Sequence, residues 1–259
     1  WSVAGIGDVD GDEVADFLIG APFSSPTGDA FAGAAYIVYG VDPTVAPFGN
    51  QMGPIFDLSA LTAGVDYTRI EGFDGTTSST DTGQGFGYSV TALGDVSGDG
   101  VPDFAIGAPT SDDASGVRFD VGATYVIYGD AGRPATVDVS LVETGGTPGF
   151  VVRGGGTGAQ TGLSVSDLGD INGDGISDFI IGAPGANAGG LVDSGAAYVI
   201  YGEAGGFDPT LDEIDRDILD PAIGFTSVGD GGQFAGSVVS SAGDLNNDGI
   251  GDIAVAMPE

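Results

Sequence analysis

Asp8-Val9-Asp10-Gly11-Asp12-Glu13-Val14-Ala15-Asp16 puts oxygen-bearing side chains at its first, third, fifth and ninth positions, and the apolar run Phe17-Leu18-Ile19 follows at once. The same frame returns as Asp95-Val96-Ser97-Gly98-Asp99-Gly100-Val101-Pro102-Asp103, as Asp170-Ile171-Asn172-Gly173-Asp174-Gly175-Ile176-Ser177-Asp178, and as Asp244-Leu245-Asn246-Asn247-Asp248-Gly249-Ile250-Gly251-Asp252. Calcium takes roughly six to eight hard oxygen ligands, and alternate side chains on a tightly curled loop can converge on one ion. Asp, Asn and Ser supply short oxygen donors. The seventh position is apolar each time (Val14, Val101, Ile176, Ile250), so it is expected to lend its backbone carbonyl and turn its side chain inward. The reading is of up to four Ca²⁺ sites.

An EF-hand begins with similar residues but requires a Glu at its twelfth position and a helix after it. Here the twelfth residues are Ile19, Ile106, Ile181 and Val255, and short apolar stretches ending in Gly-Ala-Pro follow three of the loops. That pattern predicts strands, so each loop joins two strands.

Aligned on their first Asp, the units are 87, 75 and 74 residues apart, a step suited to a four-stranded sheet. First strands are expected at 2–7, 89–94, 164–169 and 237–243, the last holding a β-bulge because Phe234 lies ten residues before its loop where Phe86 lies nine before. Second strands end at Gly20-Ala21-Pro22, Gly107-Ala108-Pro109, Gly182-Ala183-Pro184 and the variant Ala256-Met257-Pro258. Variable loops at 24–32, 110–121 and 185–194 lead to third strands holding Tyr36/Tyr39, Tyr125/Tyr128 and Tyr198/Tyr201, rich in β-branched and aromatic residues. Fourth strands are expected at 67–70, 150–153 and 225–228. Phe56-Asp57-Leu58 and Val137-Asp138-Val139 read as extended, and 212–219 as a helical turn. The expected class is all-β: four-stranded antiparallel β-propeller blades over 1–259, with three full blades (about 1–84, 85–159 and 160–232) and half of a fourth (233–259). The chain is read as a fragment of a larger ring, which the remaining blades of the parent chain or a neighbouring chain would complete.

Composition limits the function. Thirty-eight acidic against five basic residues give a net charge of −33, which argues against nucleic acid. Four bound Ca²⁺ would leave −33 + 8 = −25. Without His, Cys or Lys, the usual nucleophile and base pairs cannot be assembled. No enzyme is expected, although residue types alone leave a two-carboxylate glycosidase open. No stretch is long enough to span a bilayer. The tyrosine pairs are read as blade packing rather than a sugar-stacking set, and the five arginines as local partners of Asp or Glu.

Phe86-Gly87, a calcium loop and Gly107-Ala108-Pro109, recurring with 12 residues from first Asp to tripeptide, resembles the FG-GAP repeat of the integrin α-chain N-terminal propeller and its bacterial and archaeal relatives. In the third unit Thr161-Gly162 stands at the dipeptide, and in the fourth Phe234-Ala235-Gly236; Glu13 replaces the Gly of the loop's sixth position. The resemblance implies calcium in the hairpin between first and second strands, and ligands bound by variable loops on the opposite face. The expected function is an extracellular, calcium-stabilised adhesion module contacting a protein or glycan. The alternative is a purely structural unit of a surface layer, filament or secreted enzyme.

Overall fold

The computed structural model describes residues 2–25, 32–40, 61–72, 84–113, 117–129, 134–207, 210–214, 219 and 221–258. The first unit holds β1 (Val3–Gly7), β2 (Asp16–Ala21), β3 (Ala34–Val38) and β4 (Tyr67–Glu71). The second holds β5 (Ser89–Gly94), β6 (Asp103–Ala108), β7 (Ala123–Ile127), a short β8 (Thr136–Asp138), the one-turn helix α1 (Ser140–Glu143) and β9 (Gly149–Gly154). The third holds β10 (Ser164–Gly169), β11 (Asp178–Ala183), β12 (Ala196–Ile200), β13 (Thr210–Ile214) and β14 (Gly224–Val228), and β15 (Val239–Gly243) with β16 (Asp252–Val255) closes the described chain.

Each full unit is an antiparallel meander, in the orders β1-β2-β3-β4, β5-β6-β7-β9 and β10-β11-β12-β14, and β15-β16 repeats the first two strands. These are three blades and half of a fourth in a partial β-propeller. Two blades gain a fifth strand, one from the stretch at 137–139 that reads as extended and one from a stretch that reads as a helical turn. β8 pairs parallel with β4 and β13 pairs parallel with β9, so a segment from each following unit seals the outer edge of the blade before it. The helical turn expected at 212–219 is corrected here: Thr210 to Ile214 are extended because the edge of β9 offers them backbone partners. The segment 56–58 lies outside the described residues.

The bulge expected in the fourth unit is present, but it is not particular to that unit. Every first strand shifts register just before its Asp loop, between Gly5 and Gly7, Ala92 and Gly94, Asp167 and Gly169, and Ser241 and Gly243. The fourth unit is not longer than the others. Gly33, Gly122 and Gly195 bridge to Phe86, Thr161 and Ala235, so Ala235 takes the position of Phe86. Counted from these residues, all three loops begin nine positions on.

The core lies between blades. Alternate residues of a strand point to opposite sheet faces, and in the middle of the ring both faces meet another blade. Phe104 and Ile106 of β6 join Ile6, Ile37 and Ile70 of the first blade, whereas Ala105, between them, joins Phe179 and Ile181 of the third. All six residues of β6 and all six of β11 are accordingly buried, which is why these strands read as continuous apolar runs. The tyrosines pack as the repeat suggests: Tyr125 stands edge-on to Phe86 at 5.4 Å, and Tyr36 lies 6.0 Å from Tyr67.

Candidate metal centre

The four Asp loops share one hydrogen-bond plan. The first Asp curls the loop around its carboxylate: Asp95 accepts the N–H of Asp99 at 3.0 Å and of Gly100 at 2.8 Å, and Asp244 those of Asp248 and Gly249 at 3.0 and 2.8 Å. Asp8 and Asp170 accept a third N–H, from Gly11 at 2.7 Å and Gly173 at 2.6 Å. The fifth-position Asp accepts the N–H of the seventh residue, at 2.9 Å for Asp12 and Val14 and at 2.8 Å in the three pairs Asp99–Val101, Asp174–Ile176 and Asp248–Ile250. Asn172 and Asn246 cap the fifth N–H at 2.9 Å each, while Ser97 Oγ donates to Asp95 at 3.3 Å.

Beside the ligand role expected of it, the ninth Asp makes structural bonds that the spacing did not reveal. Asp103 accepts the N–H groups of Val96 and Ser97 at 2.9 and 3.0 Å with one oxygen, and that of Gly129, at the end of β7, at 3.0 Å with the other. Asp16 does the same with Val9 and Gly40, and Asp178 with Ile171, Asn172 and Gly202. The carboxylate thus ties the loop to the third strand. Its signal in the sequence was the Tyr-Gly that ends each third strand. Burial pushes Asp16 and Asp178 above the usual carboxylate range and Asp103 up to about 6, against the pull of those N–H groups. Asp170 lies below that range, chiefly because of the Gly175 N–H.

In the first loop, carboxylate oxygens of Asp8, Asp10 and Asp16 converge within 4.8 Å of one another. That is a donor set of hard oxygens suited to a hard cation. Asp12 stands outside this trio. The other loops carry Ser97, Asn172 and Asn246 where the first has Asp10, one carboxylate fewer.

The inward role assigned to the seventh residue requires correction. Val14, Val101 and Ile176 are half-buried, packed against Gly40, Gly129 and Gly202, and Ile250 is exposed. The second residue enters the core instead, with Val9 and Val96 buried. In the first loop the sixth-position backbone is left-handed even without Gly: Glu13 has φ 68°, against 92° at Gly100.

A family model for the FG-GAP repeat matches residues 1–38, 86–127 and 164–200. The chain is an FG-GAP repeat protein. Integrin alpha-PS5 of Drosophila melanogaster is 30% identical over 177 residues, covering 68% of this chain and 15% of its own length. Integrin alpha-PS2 of the same organism is 37% identical over 122 residues, 46% of this chain and 8% of its own. Phosphatidylinositol-glycan-specific phospholipase D of Mus musculus is 36% identical over 121 residues, 46% of this chain and 13% of its own. The FG-GAP chain therefore spans at most 15% of these relatives' length.

The structure explains why the two halves of the FG-GAP repeat belong together. A Cβ on Gly20, Gly107 or Gly182, the first residue of each Gly-Ala-Pro, would sit 2.0 Å from the carbonyl oxygen of Gly87, Gly162 or Gly236 in the next blade. Only glycine at the tripeptide lets the backbones meet. The residue before the second glycine (Phe86, Thr161, Ala235) is fully buried each time. Serines of the innermost strands join neighbouring blades: Ser89 Oγ donates to Gly162 O at 2.8 Å, and Ser164 Oγ accepts the Val239 N–H at 3.1 Å. Two arginines pair locally, Arg69 with Glu71 and Arg118 with Asp113; Arg133 and Arg216 lie outside the described residues. Among the described residues no helix is long and apolar enough to cross a membrane.

Proposed function

We propose that this FG-GAP segment is a non-catalytic, calcium-stabilised adhesion module of an extracellular protein, and that its variable loops contact a protein or glycan partner. In each of the four loops the ion would be held by the first, third, fifth and ninth side chains and the seventh carbonyl. When bound, calcium would neutralise facing carboxylates and pin the hairpin against the blade. The observation that carries the binding role lies at the opposite end of the sheets. The turns after each second strand expose Phe23, Val117, Phe119, Leu191 and Val192 to solvent, Val117 at 72% and Val192 at 70%. Large apolar side chains on loops facing away from a well-packed ring suit a partner surface. Relatives named as integrin α-chains agree with an adhesion role and with an extracellular setting. Against the enzymatic reading suggested by the phospholipase D relative, this chain has no His, Cys or Lys.

The test is glycan-array and protein-microarray binding by the chain and by a variant whose three loops (24–32, 110–121, 185–194) are replaced with Gly-Ser linkers of equal length. A ligand captured by the first and lost by the second supports the proposal. Identical profiles for the two would favour a purely structural unit.

A further inference from the structure

The interface between the first and second blades and that between the second and third have the same backbone spacing but different fillings. At the latter, Phe150 and Phe207 pack with ring centres 4.6 Å apart, Tyr128 lies 6.1 Å from Phe150, and the Phe207 N–H donates to the Tyr128 hydroxyl at 2.8 Å. At the former, Tyr39 stands where Tyr128 does. Thr68 takes the place of Phe150, since Thr68 pairs with Ile37 as Phe150 pairs with Val126. Pro134, five residues beyond Gly129, takes the place of Phe207, five beyond Gly202. Among the described residues, this interface therefore lacks two phenyl rings that its neighbour has.

The blades cannot close the gap, because the Gly20–Gly87 contact fixes their spacing as the Gly107–Gly162 contact fixes the next. A cavity of about 290 Å³ remains, with Val9, Tyr39, Thr68 and Phe104 as its floor and Asp138 and Leu141 among its lining. All four floor residues are 3% exposed or less, so the shape is preformed. The Tyr39 and Thr68 hydroxyls lie 2.6 Å apart, and Thr68 donates to the Pro134 carbonyl. These polar groups serve one another, leaving apolar and aromatic surface to hold a guest. The Asp138 carboxylate, which accepts the Ser140 N–H at 2.9 Å, and a net charge of −33 disfavour an anion. We propose that this cavity binds a flat aromatic small molecule without negative charge, its ring system taking the place that Phe150 and Phe207 fill at the neighbouring interface. The site includes Val9 of the first Asp loop and lies at the opposite end of the sheets from the variable loops, so it is independent of the adhesion reading.

The test is calorimetric titration of the full chain in calcium with 2-naphthol, and with 2-naphthoate as its charged counterpart. The expected result is saturable one-site binding of naphthol, with naphthoate at least ~10-fold weaker. Thr68→Phe, which refills the floor, and Leu141→Trp, which narrows the cavity from the exposed side of α1, should each weaken naphthol at least ~10-fold while circular dichroism is unchanged. If Thr68→Phe does not fold, Leu141→Trp decides. No saturable binding to the folded chain, or undiminished binding by the Leu141→Trp variant, would overturn the proposal.

Discussion

The second and fourth Asp loops share their Asp frame and the bonds that the first and fifth Asp accept. In this segment, which holds only the first two strands of the fourth unit, they differ in what surrounds them. Asp103 is fully buried and bonded to Gly129 on the third strand of its blade, whereas Asp252 is half-exposed and accepts the N–H of Leu245 at 2.7 Å. Val96, at the second position, is buried, and its counterpart Leu245 is 77% exposed. The curl of such a loop is local and needs only its own Asp, Asn and Gly residues. Its rigidity is borrowed from the strand beside it.

The largest predicted effect is metal removal, which sharpens the contrast because the fourth loop would lose its main restraint. At ~1 mM calcium and a dissociation constant of ~0.1 mM, each occupied loop contributes ~1.4 kcal/mol, so EDTA should remove ~6 kcal/mol if all four bind. Hydrogen exchange should then quicken far more at Asp248 and Gly249 than at Val96 and Ser97. An unchanged melting curve and exchange pattern in EDTA would exclude the metal.

Next comes the clamp itself. Asp103→Ala strands three buried N–H groups, of Val96, Ser97 and Gly129, and should cost ~3 kcal/mol or more by urea denaturation. The same carboxylate predicts a pH effect. Its folded pKa of about 6 lies above the ordinary 3.8. Its contribution is therefore fully present below the unfolded value and lost as pH rises through 6. In EDTA this favours a higher melting temperature at pH 5 than at pH 7. Added calcium should reverse the order, since ligating carboxylates must be ionised.

Two smaller changes probe the loops from either side. Glu13→Gly, relieving the left-handed backbone at φ 68°, should stabilise by ~1 kcal/mol and bring the first loop closer to the second. Asp252→Ala in EDTA should cost less than ~1 kcal/mol, because the freed Leu245 N–H can turn to water. A cost equal to that of Asp103→Ala would erase the distinction drawn between buried and open loops.

Much of the architecture was legible in the chain. The nine-residue frame, the apolar runs after it and the Tyr-rich third strands placed the four-stranded units, because strand alternation and turn chemistry act over a few neighbouring residues. Of the outer strands, β8 was legible only as an extended stretch at 137–139, without its partner, and β13 was not legible as a strand. Their partners lie in the preceding blade, and nothing local in Thr136–Asp138 or Thr210–Ile214 names them. Ala235 was misaligned because Phe234 supplied the expected ring one position early. The bridge from Gly195 to Ala235 settles the register.

By itself, then, the sequence determined the repeat, the strand order within a blade, the curled acidic loops and the absence of the usual catalytic side chains, all consequences of short-range spacing and composition. Tertiary structure alone decided which face of each strand meets which blade, that the ninth Asp reaches across to the third strand, and that one blade interface is filled by rings while its neighbour is left hollow. Those depend on residues roughly 25 to 90 positions apart, whose meeting is set by sheet packing rather than by any local preference.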